Sequence, residues 1–121
     1  MKKILFIEDE YGLQKAMVKM LTDEGYQVLS ALDGEVGLKI VKKELPDLIL
    51  LDLILPKKDG FEVLKEIKKD ETTKGIPIII LSNLERMEDV EKALQLGATT
   101  YLVKTNYGLD ELLEKIKGVI E

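Results

Sequence analysis

Five short apolar runs alternate with longer segments of helical period along this chain of 121 residues. The runs cover residues 4–7, 27–31, 48–51, 77–81 and 100–103. This alternation is typical of a parallel β-sheet with helices on both faces. The third and fourth runs are apolar throughout, which favours central strands, whereas the mixed second run favours an edge strand. Because crossovers between parallel strands are right-handed, the pattern predicts an α/β fold: a three-layer sandwich of five parallel strands and five helices.

Between the runs, apolar residues recur at the spacing of one helical face. On the first and fourth predicted helices these residues are Leu13, Met17, Met20 and Leu21, and then Met87, Val90 and Leu94. Expected helix ends are marked by Gly25, Gly75 and Gly97, and expected N-caps by Asp33 and Asp59. No linker, repeat or low-complexity tract interrupts the pattern, so we expect one domain over residues 1–121.

The composition excludes several kinds of chemistry. Without Cys or His, the chain has no disulfide, thiol nucleophile, zinc-finger site or imidazole base. Its 18 basic and 23 acidic residues give a net charge of −5, which offers no general attraction to nucleic acid or to a membrane surface. No apolar run approaches the roughly 18 residues of a spanning helix. We therefore expect a cytoplasmic protein whose chemistry depends on carboxylates, hydroxyls and lysine.

Polar residues that can carry chemistry follow four of the five runs. They are Glu8 and Asp9 after the first run, Asp52 after the third, Ser82 after the fourth and Lys104 after the fifth. In an open parallel sheet these positions share the carboxyl edge, where ligands bind. Three converging carboxylates repel one another unless a cation lies among them, and oxygen ligands suit Mg²⁺. For any single acid a helix-capping role is about as common, but the agreement of four strand ends favours a metal site.

The segment after the third run carries the most specific motif of the chain. It reads DLILPKKDG over residues 52–60, and a hydroxyl residue, Ser82, follows Asp52 by 30 positions. Together with the pair Glu8-Asp9, Tyr101 and Lys104, this motif resembles the receiver domain of two-component response regulators, especially the stand-alone, chemotaxis-type members. The resemblance covers nearly the whole chain and implies the flavodoxin-like strand order 2-1-3-4-5.

The resemblance implies that Asp52 accepts a phosphoryl group and that Ser82 and Lys104 contact the phosphoryl oxygens. The implied ligands of Mg²⁺ are oxygens of four residues: Glu8, Asp9, Asp52 and, through its backbone carbonyl, Ile54. Phosphoryl transfer needs an in-line nucleophile and positive charge near the equatorial oxygens, which Mg²⁺ and Lys104 would supply. Because the chain has no histidine, the donor is a partner histidine kinase, a phosphotransfer protein or a small phosphate ester or anhydride. We expect self-phosphorylation and autodephosphorylation at Asp52, and no turnover enzyme.

A conformational switch made of Ser82 and Tyr101 is also implied. A phosphoaspartate adds a charge of about −1.5 to −2 and new acceptors, toward which the Ser82 hydroxyl would move. Tyr101 would then turn inward and remodel the face formed by the fourth helix, fifth strand and fifth helix. That face would bind a downstream protein or a second copy of the chain. The alternative role of Tyr101 is that of an ordinary strand aromatic packed on a neighbour.

Two features near the site depart from the family pattern: Asn83 stands where a small residue usually follows the hydroxyl position, and the loop after Lys104 differs. Lys104 is followed by Thr105, where receiver domains typically have a proline in a cis peptide bond. A cis bond before a non-proline residue costs about 3 to 4 kcal/mol. We therefore expect a trans bond and a reshaped loop after Lys104.

Other functions fit the sequence less well. A receiver-fold interaction module that works without phosphorylation remains the alternative, although the acids, the hydroxyl and the lysine of the site are all present. A Mg²⁺-dependent phosphohydrolase would use a second Asp two residues after the first as general acid, where this chain has Ile54. Flavin-binding and dinucleotide-binding proteins need a phosphate loop after the first strand, and the acidic residues 8–10 would repel that phosphate.

Overall fold

In the computed structural model, which describes residues 1–121, five strands alternate with five helices. The strands are β1 (Lys3–Ile7), β2 (Gln27–Ala31), β3 (Leu48–Leu51), β4 (Ile78–Ser82) and β5 (Thr100–Val103). The helices are α1 (Tyr11–Asp23), α2 (Gly34–Glu44), α3 (Gly60–Lys69), α4 (Met87–Gln95) and α5 (Leu109–Ile120). A 3₁₀ turn, Lys104–Asn106, follows β5.

The strands form one parallel sheet in the order β2-β1-β3-β4-β5, which confirms the flavodoxin-like prediction. The mixed strand β2 lies at the edge, as its sequence indicated. At the centre, β3 is buried at every residue. Because all strands run the same way, their carboxyl ends meet at a single edge of the sheet.

Two hydrophobic cores hold the three layers together, one on each face of the sheet. Alternate strand residues point to opposite faces, so Leu5 and Ile7 of β1 pack with α2, α3 and α4, whereas Ile4 and Phe6 pack with α1 and α5. Each fully buried side chain of this size contributes about 1.5 to 3 kcal/mol. The continuous apolar runs therefore form strands because both of their faces are covered.

Most of the predicted helix boundaries are confirmed. The side chains of Asp33 and Asp59 accept hydrogen bonds from the N–H groups of Val36 and Glu62, which caps α2 and α3. Gly25 and Gly97 have φ angles of 96° and 109° after α1 and α4.

The prediction that α3 ends at Gly75 is wrong, because polar side chains end that helix earlier. Thr73 donates a hydrogen bond to the carbonyl of Ile67 at 2.7 Å. Asp70, the residue after α3, accepts hydrogen bonds from the backbone and hydroxyl of Thr72. These contacts replace the next helical turn.

The apolar residues predicted to share one face of α4 do lie on that helix, but most of this face is exposed. Met87 and Leu94 are 70% and 45% exposed, and Ala93 is the residue of α4 that is buried. This short helix therefore covers the sheet with a small residue and leaves its larger apolar side chains facing outward. No helix of the protein combines the length and the apolar character needed to cross a bilayer.

Candidate functional site at the carboxyl edge of the sheet

The four strand ends bring the predicted site residues together. Glu8 follows β1, Asp52 follows β3 and Lys104 follows β5, while Ser82 is the last residue of β4 and pairs with Val103. Glu8, Asp52 and Ser82 are buried, whereas Asp9, on the turn into α1, is exposed. Side chains that are far apart in sequence thus meet on one edge.

Asp52 lies at the centre of the site with both carboxylate oxygens occupied. Its Oδ2 accepts a hydrogen bond from Lys104 Nζ at 2.8 Å, and its Oδ1 accepts one from the N–H of Ile54 at 3.1 Å. Behind it, the start of α3 approaches so closely that a Cβ on Gly60 would lie 2.3 Å from the Asp52 carbonyl oxygen. Only glycine allows this approach, which fixes the segment that carries Asp52.

Glu8 is fully buried, and its contacts offset the cost of burying its carboxylate charge only in part. Its Oε2 accepts a hydrogen bond from the N–H of Glu10 at 3.0 Å. Its Oε1 has no aligned hydrogen-bond donor, although Lys104 Nζ lies 2.6 Å away. Burial raises the pKa of Glu8 to about 7, since Lys104 and the Glu10 N–H oppose that effect only in part and the charge of Asp52 adds to it.

Lys104 is the cation that these two buried carboxylates share. Burial alone would lower its pKa, but the hydrogen bond to Asp52, the close contact with Glu8 and the charges of both acids outweigh burial and raise it. No peptide bond in the protein is cis, so the bond between Lys104 and Thr105 is trans as predicted. A 3₁₀ turn over Lys104–Asn106 follows the strand end, and a loop reshaped relative to the family stays a prediction.

The carboxylates fit a hard divalent cation. One oxygen from each of Glu8, Asp9 and Asp52 lies within 4.8 Å of the others. The ammonium of Lys104 pairs with Glu8 and Asp52 but not with Asp9, and one buried oxygen of Glu8 has no aligned donor. Oxygen donors in this number suit Mg²⁺ or a similar ion that keeps some of its water. The carbonyl of Ile54, two residues beyond Asp52, stays a predicted ligand.

Ser82 and Tyr101 are linked through the backbone of Leu84. The Ser82 Oγ accepts a hydrogen bond from the Leu84 N–H at 3.3 Å, and the Tyr101 hydroxyl donates one to the Leu84 carbonyl at 2.6 Å. Tyr101 is half-buried, and its pKa is raised mainly by burial. The tyrosine therefore already touches the loop between β4 and α4, where the sequence analysis expected an inward turn only after phosphorylation.

Sequence analysis missed one buried polar residue beside the site, Gln14. It lies on the buried stripe of α1 with Met17 and Leu21. Its side-chain amide donates to the carbonyls of Glu8 at 3.1 Å and of Ala31 at 2.9 Å. The signal in the sequence was the spacing: Gln14 stands at the first position of a helical stripe whose next members, Met17 and Leu21, follow at i+3 and i+7 and are apolar.

Curated proteins similar to this chain include some that are about twice its length and one that is about as long as this chain. The transcriptional regulatory protein CiaR of Streptococcus pneumoniae is 41% identical over 123 residues, which is all of this chain and 52% of CiaR. The sporulation initiation phosphotransferase F of Bacillus subtilis is 35% identical over 116 residues, covering 96% of this chain and 91% of that protein. The chain thus spans about half the length of CiaR and of several other curated relatives that it matches.

Solved structures with the same fold include two response regulators. The Mn²⁺-bound form of response regulator Rcp1 is 32% identical, with a TM-score of 0.84 over 98% of this chain and 91% of that one. The phosphorylated cyanobacterial phytochrome response regulator RcpA is 35% identical, with a TM-score of 0.85 over 98% of this chain and 90% of that one.

A family model matches almost the whole chain. The model describes the response regulator receiver domain and covers residues 4–117. That span contains the five strands apart from Lys3, the first residue of β1, and it contains every residue of the site. The chain therefore belongs to the family of response regulator receiver domains.

Proposed function

We propose that residues 1–121 form one receiver domain that acts in the cytoplasm and accepts a phosphoryl group on Asp52 from the phosphohistidine of a histidine kinase or phosphotransfer protein. The observation that carries this proposal is the buried Asp52 carboxylate, held 2.8 Å from the Lys104 ammonium and beside two further acids. The phosphohistidine must come from outside these residues, which contain no histidine. Relatives described as a phosphotransferase and as a phosphorylated response regulator support it.

In the proposed reaction an oxygen of Asp52 attacks phosphorus in line with the phosphorus–nitrogen bond of the donor. The new oxygen–phosphorus bond forms as the bond to nitrogen breaks, and the imidazole nitrogen keeps that electron pair. Lys104 offsets negative charge on the phosphoryl oxygens from its place beside Asp52. Ser82 uses its oxygen to accept from Leu84, which leaves its hydroxyl proton to donate to a phosphoryl oxygen.

We propose Mg²⁺ as the cofactor. Its ligands would be oxygens of four residues, the carboxylates of Glu8, Asp9 and Asp52 and the carbonyl of Ile54. When bound, Mg²⁺ supplies positive charge to the phosphoryl oxygens and to the crowded carboxylates. A relative described as the Mn²⁺-bound form of a response regulator supports a divalent-cation cofactor.

Phosphorylation would be transmitted through Ser82 and Tyr101. Drawing the Ser82 hydroxyl toward the phosphoryl group removes the acceptor of the Leu84 N–H, and Leu84 also holds the Tyr101 hydroxyl. We therefore propose that the switch remakes an existing Tyr101 contact. The face of α4, β5 and α5 would then bind a downstream protein or a second copy of the chain, and neither nucleic acid nor a membrane directly.

The test is phosphorylation by acetyl phosphate and by a phosphohistidine donor in the presence of Mg²⁺. Wild type should gain a hydroxylamine-sensitive phosphoryl group, and Asp52→Asn should gain none. The matched control is Asp59→Asn, an exposed aspartate of the same loop whose capping oxygen asparagine retains. Labelling that survives in Asp52→Asn contradicts the assignment, and an unlabelled wild type favours the interaction module that works without phosphorylation.

A further inference from the structure

Gln14 joins three elements at the edge of the sheet that carries the site. It lies in the first turn of α1 and is only 6% exposed. Its Nε2 donates hydrogen bonds to the carbonyls of Glu8, which follows β1, and of Ala31, the last residue of β2. The Ala31 carbonyl also accepts from the N–H of Glu8 at 3.0 Å. The amide of Gln14 therefore fastens α1 to both strand ends.

The Glu8 carbonyl is the point where this contact reaches the metal ligands. It belongs to the peptide group that joins Glu8 to Asp9, and the carboxylates of these two residues face different surroundings, one buried and one exposed. Both still lie within 4.8 Å of a carboxylate oxygen of Asp52. Rotation of that peptide group would swing Asp9 away from the cluster, since Asp9 has no other anchor among the side-chain hydrogen bonds of the site.

The start of α1 has one other side-chain restraint, the hydrogen bond from the Glu10 N–H to Glu8 Oε2, which leaves the Glu8 carbonyl to Gln14. Glu10, at the N-cap of α1, makes no side-chain capping hydrogen bond, whereas α2 and α3 are capped by aspartates. Instead, the two hydrogen bonds of the Gln14 amide hold this helix against the strand ends. An apolar side chain of the same size would fill the space but leave the Glu8 carbonyl without its side-chain donor, so that one restraint on the orientation of this peptide is lost.

We infer that Gln14 is a positioning residue for the divalent-cation site: it orients the peptide between Glu8 and Asp9 so that both carboxylates face Asp52. The inference rests on the proposed function, in which these acids bind Mg²⁺. Residues that orient metal ligands without touching the metal typically change affinity by 10- to 100-fold, and we expect Gln14→Met to weaken binding about tenfold.

The experiment measures Mn²⁺ binding to the folded protein from the electron paramagnetic resonance signal of the free ion, with Mg²⁺ as competitor. The matched control is Thr73→Val, which removes a buried hydrogen bond to a carbonyl at the far end of α3. Both variants should lower the urea midpoint of unfolding. Gln14→Met alone should weaken binding of Mn²⁺ and Mg²⁺, because Thr73 lies far from the carboxylates.

Equal affinity in wild type and Gln14→Met overturns the inference, since a merely structural residue would change the midpoint alone. If Gln14→Met does not fold, Gln14→Asn keeps the amide but shortens its reach by one methylene, and its affinity should fall by about two- to tenfold; unchanged affinity in that variant overturns the inference as well. Phosphorylation of Asp52 is measured separately, so Gln14 can fail as a positioning residue while the proposed function stands.

Discussion

A lysine and two carboxylates meet at each end of the sheet, but the two groups differ in burial and in hydrogen bonding. The amino-end trio consists of Lys3, Glu44 and Asp47. Its ion pair joins Lys3 Nζ to Glu44 Oε1 at 3.2 Å, with side chains that are 26% and 32% exposed. Asp47 accepts a hydrogen bond from the backbone N–H of Lys3 at 2.7 Å. Each acid of this trio has a donor, and water reaches the ion pair.

The carboxyl-end trio consists of Lys104, Glu8 and Asp52. Here the lysine side chain is 12% exposed, and the acids are 0% and 5% exposed. One ammonium serves both carboxylates, and Asp9 adds a third negative charge nearby. The pKa of Glu8 rises to about 7, mainly because of burial.

Burial, more than residue type, distinguishes the structural ion pair at the amino end from the candidate binding site at the carboxyl end. Charges that stay in water are solvated and contribute little to stability. Buried charges need nearly complete compensation, and the carboxyl-end trio lacks it. This deficit of positive charge is what a divalent cation would remove.

The largest expected difference concerns the two lysines. In chelator, Lys104→Met should lower the free energy of unfolding by about 3 to 5 kcal/mol, because it leaves two buried carboxylates without a cation. Lys3→Met, at the exposed pair, should cost less than about 1 kcal/mol. Urea denaturation of both variants measures the difference. Equal costs would mean that the carboxyl-end trio is as well solvated as the amino-end trio.

Two glycine-to-alanine substitutions measure how closely the chain packs around Gly60, beside Asp52, and around Gly118, near the end of α5. Gly60→Ala should cost about 3 kcal/mol, because the new Cβ meets backbone atoms of Asp52 and Leu53. Gly118→Ala, near the end of α5, meets nothing within 4 Å and should stabilise the protein by about 0.5 to 1 kcal/mol. The melting temperatures of the two variants show whether each substitution lowers or raises the stability of the protein. A tolerated Gly60→Ala would show that the segment carrying Asp52 can shift.

Addition of Mg²⁺ should stabilise the protein by binding at the carboxyl-end trio, with no contribution from the amino-end trio. With a dissociation constant on the order of millimolar, as expected for a site that leaves the ion partly hydrated, a tenfold excess over that constant adds about 1.4 kcal/mol to the free energy of unfolding. Asp52→Asn should lose most of this gain, and Asp47→Asn should keep it. A gain that Asp52→Asn retains would place the ion elsewhere.

The smallest expected effects come from replacing one aspartate by alanine at each end of the sheet, Asp9 at the carboxyl end and Asp47 at the amino end. Asp9→Ala should raise the metal-free free energy of unfolding by up to about 0.5 kcal/mol, because it removes an exposed charge that repels two others. Asp47→Ala should lower it by about 1 kcal/mol, because a backbone N–H loses its partner. Asp9→Ala should also weaken Mg²⁺ binding. A lower urea midpoint with unchanged Mg²⁺ affinity would make Asp9 a structural residue.

The sequence predicted the sheet almost residue by residue. Three of the five runs match their strands, and β4 is shifted by one residue because Pro77 has no N–H and Ser82 still pairs with Val103. Such runs are read reliably because strands covered on both faces must be apolar throughout. Helix faces were harder, since small residues such as Ala93 can be the buried ones while Met87 is exposed.

The sequence by itself determined the fold and the edge at which the candidate site residues meet, because the alternation of strands with helices and the residue after each strand can be read along the chain. Only the tertiary structure decided that Glu8 is buried and its neighbour Asp9 exposed. It also decided that Lys104 reaches Glu8 and Asp52 together. Burial and ion pairing depend on side chains from separate strands and loops, so their energies are fixed when the chain folds.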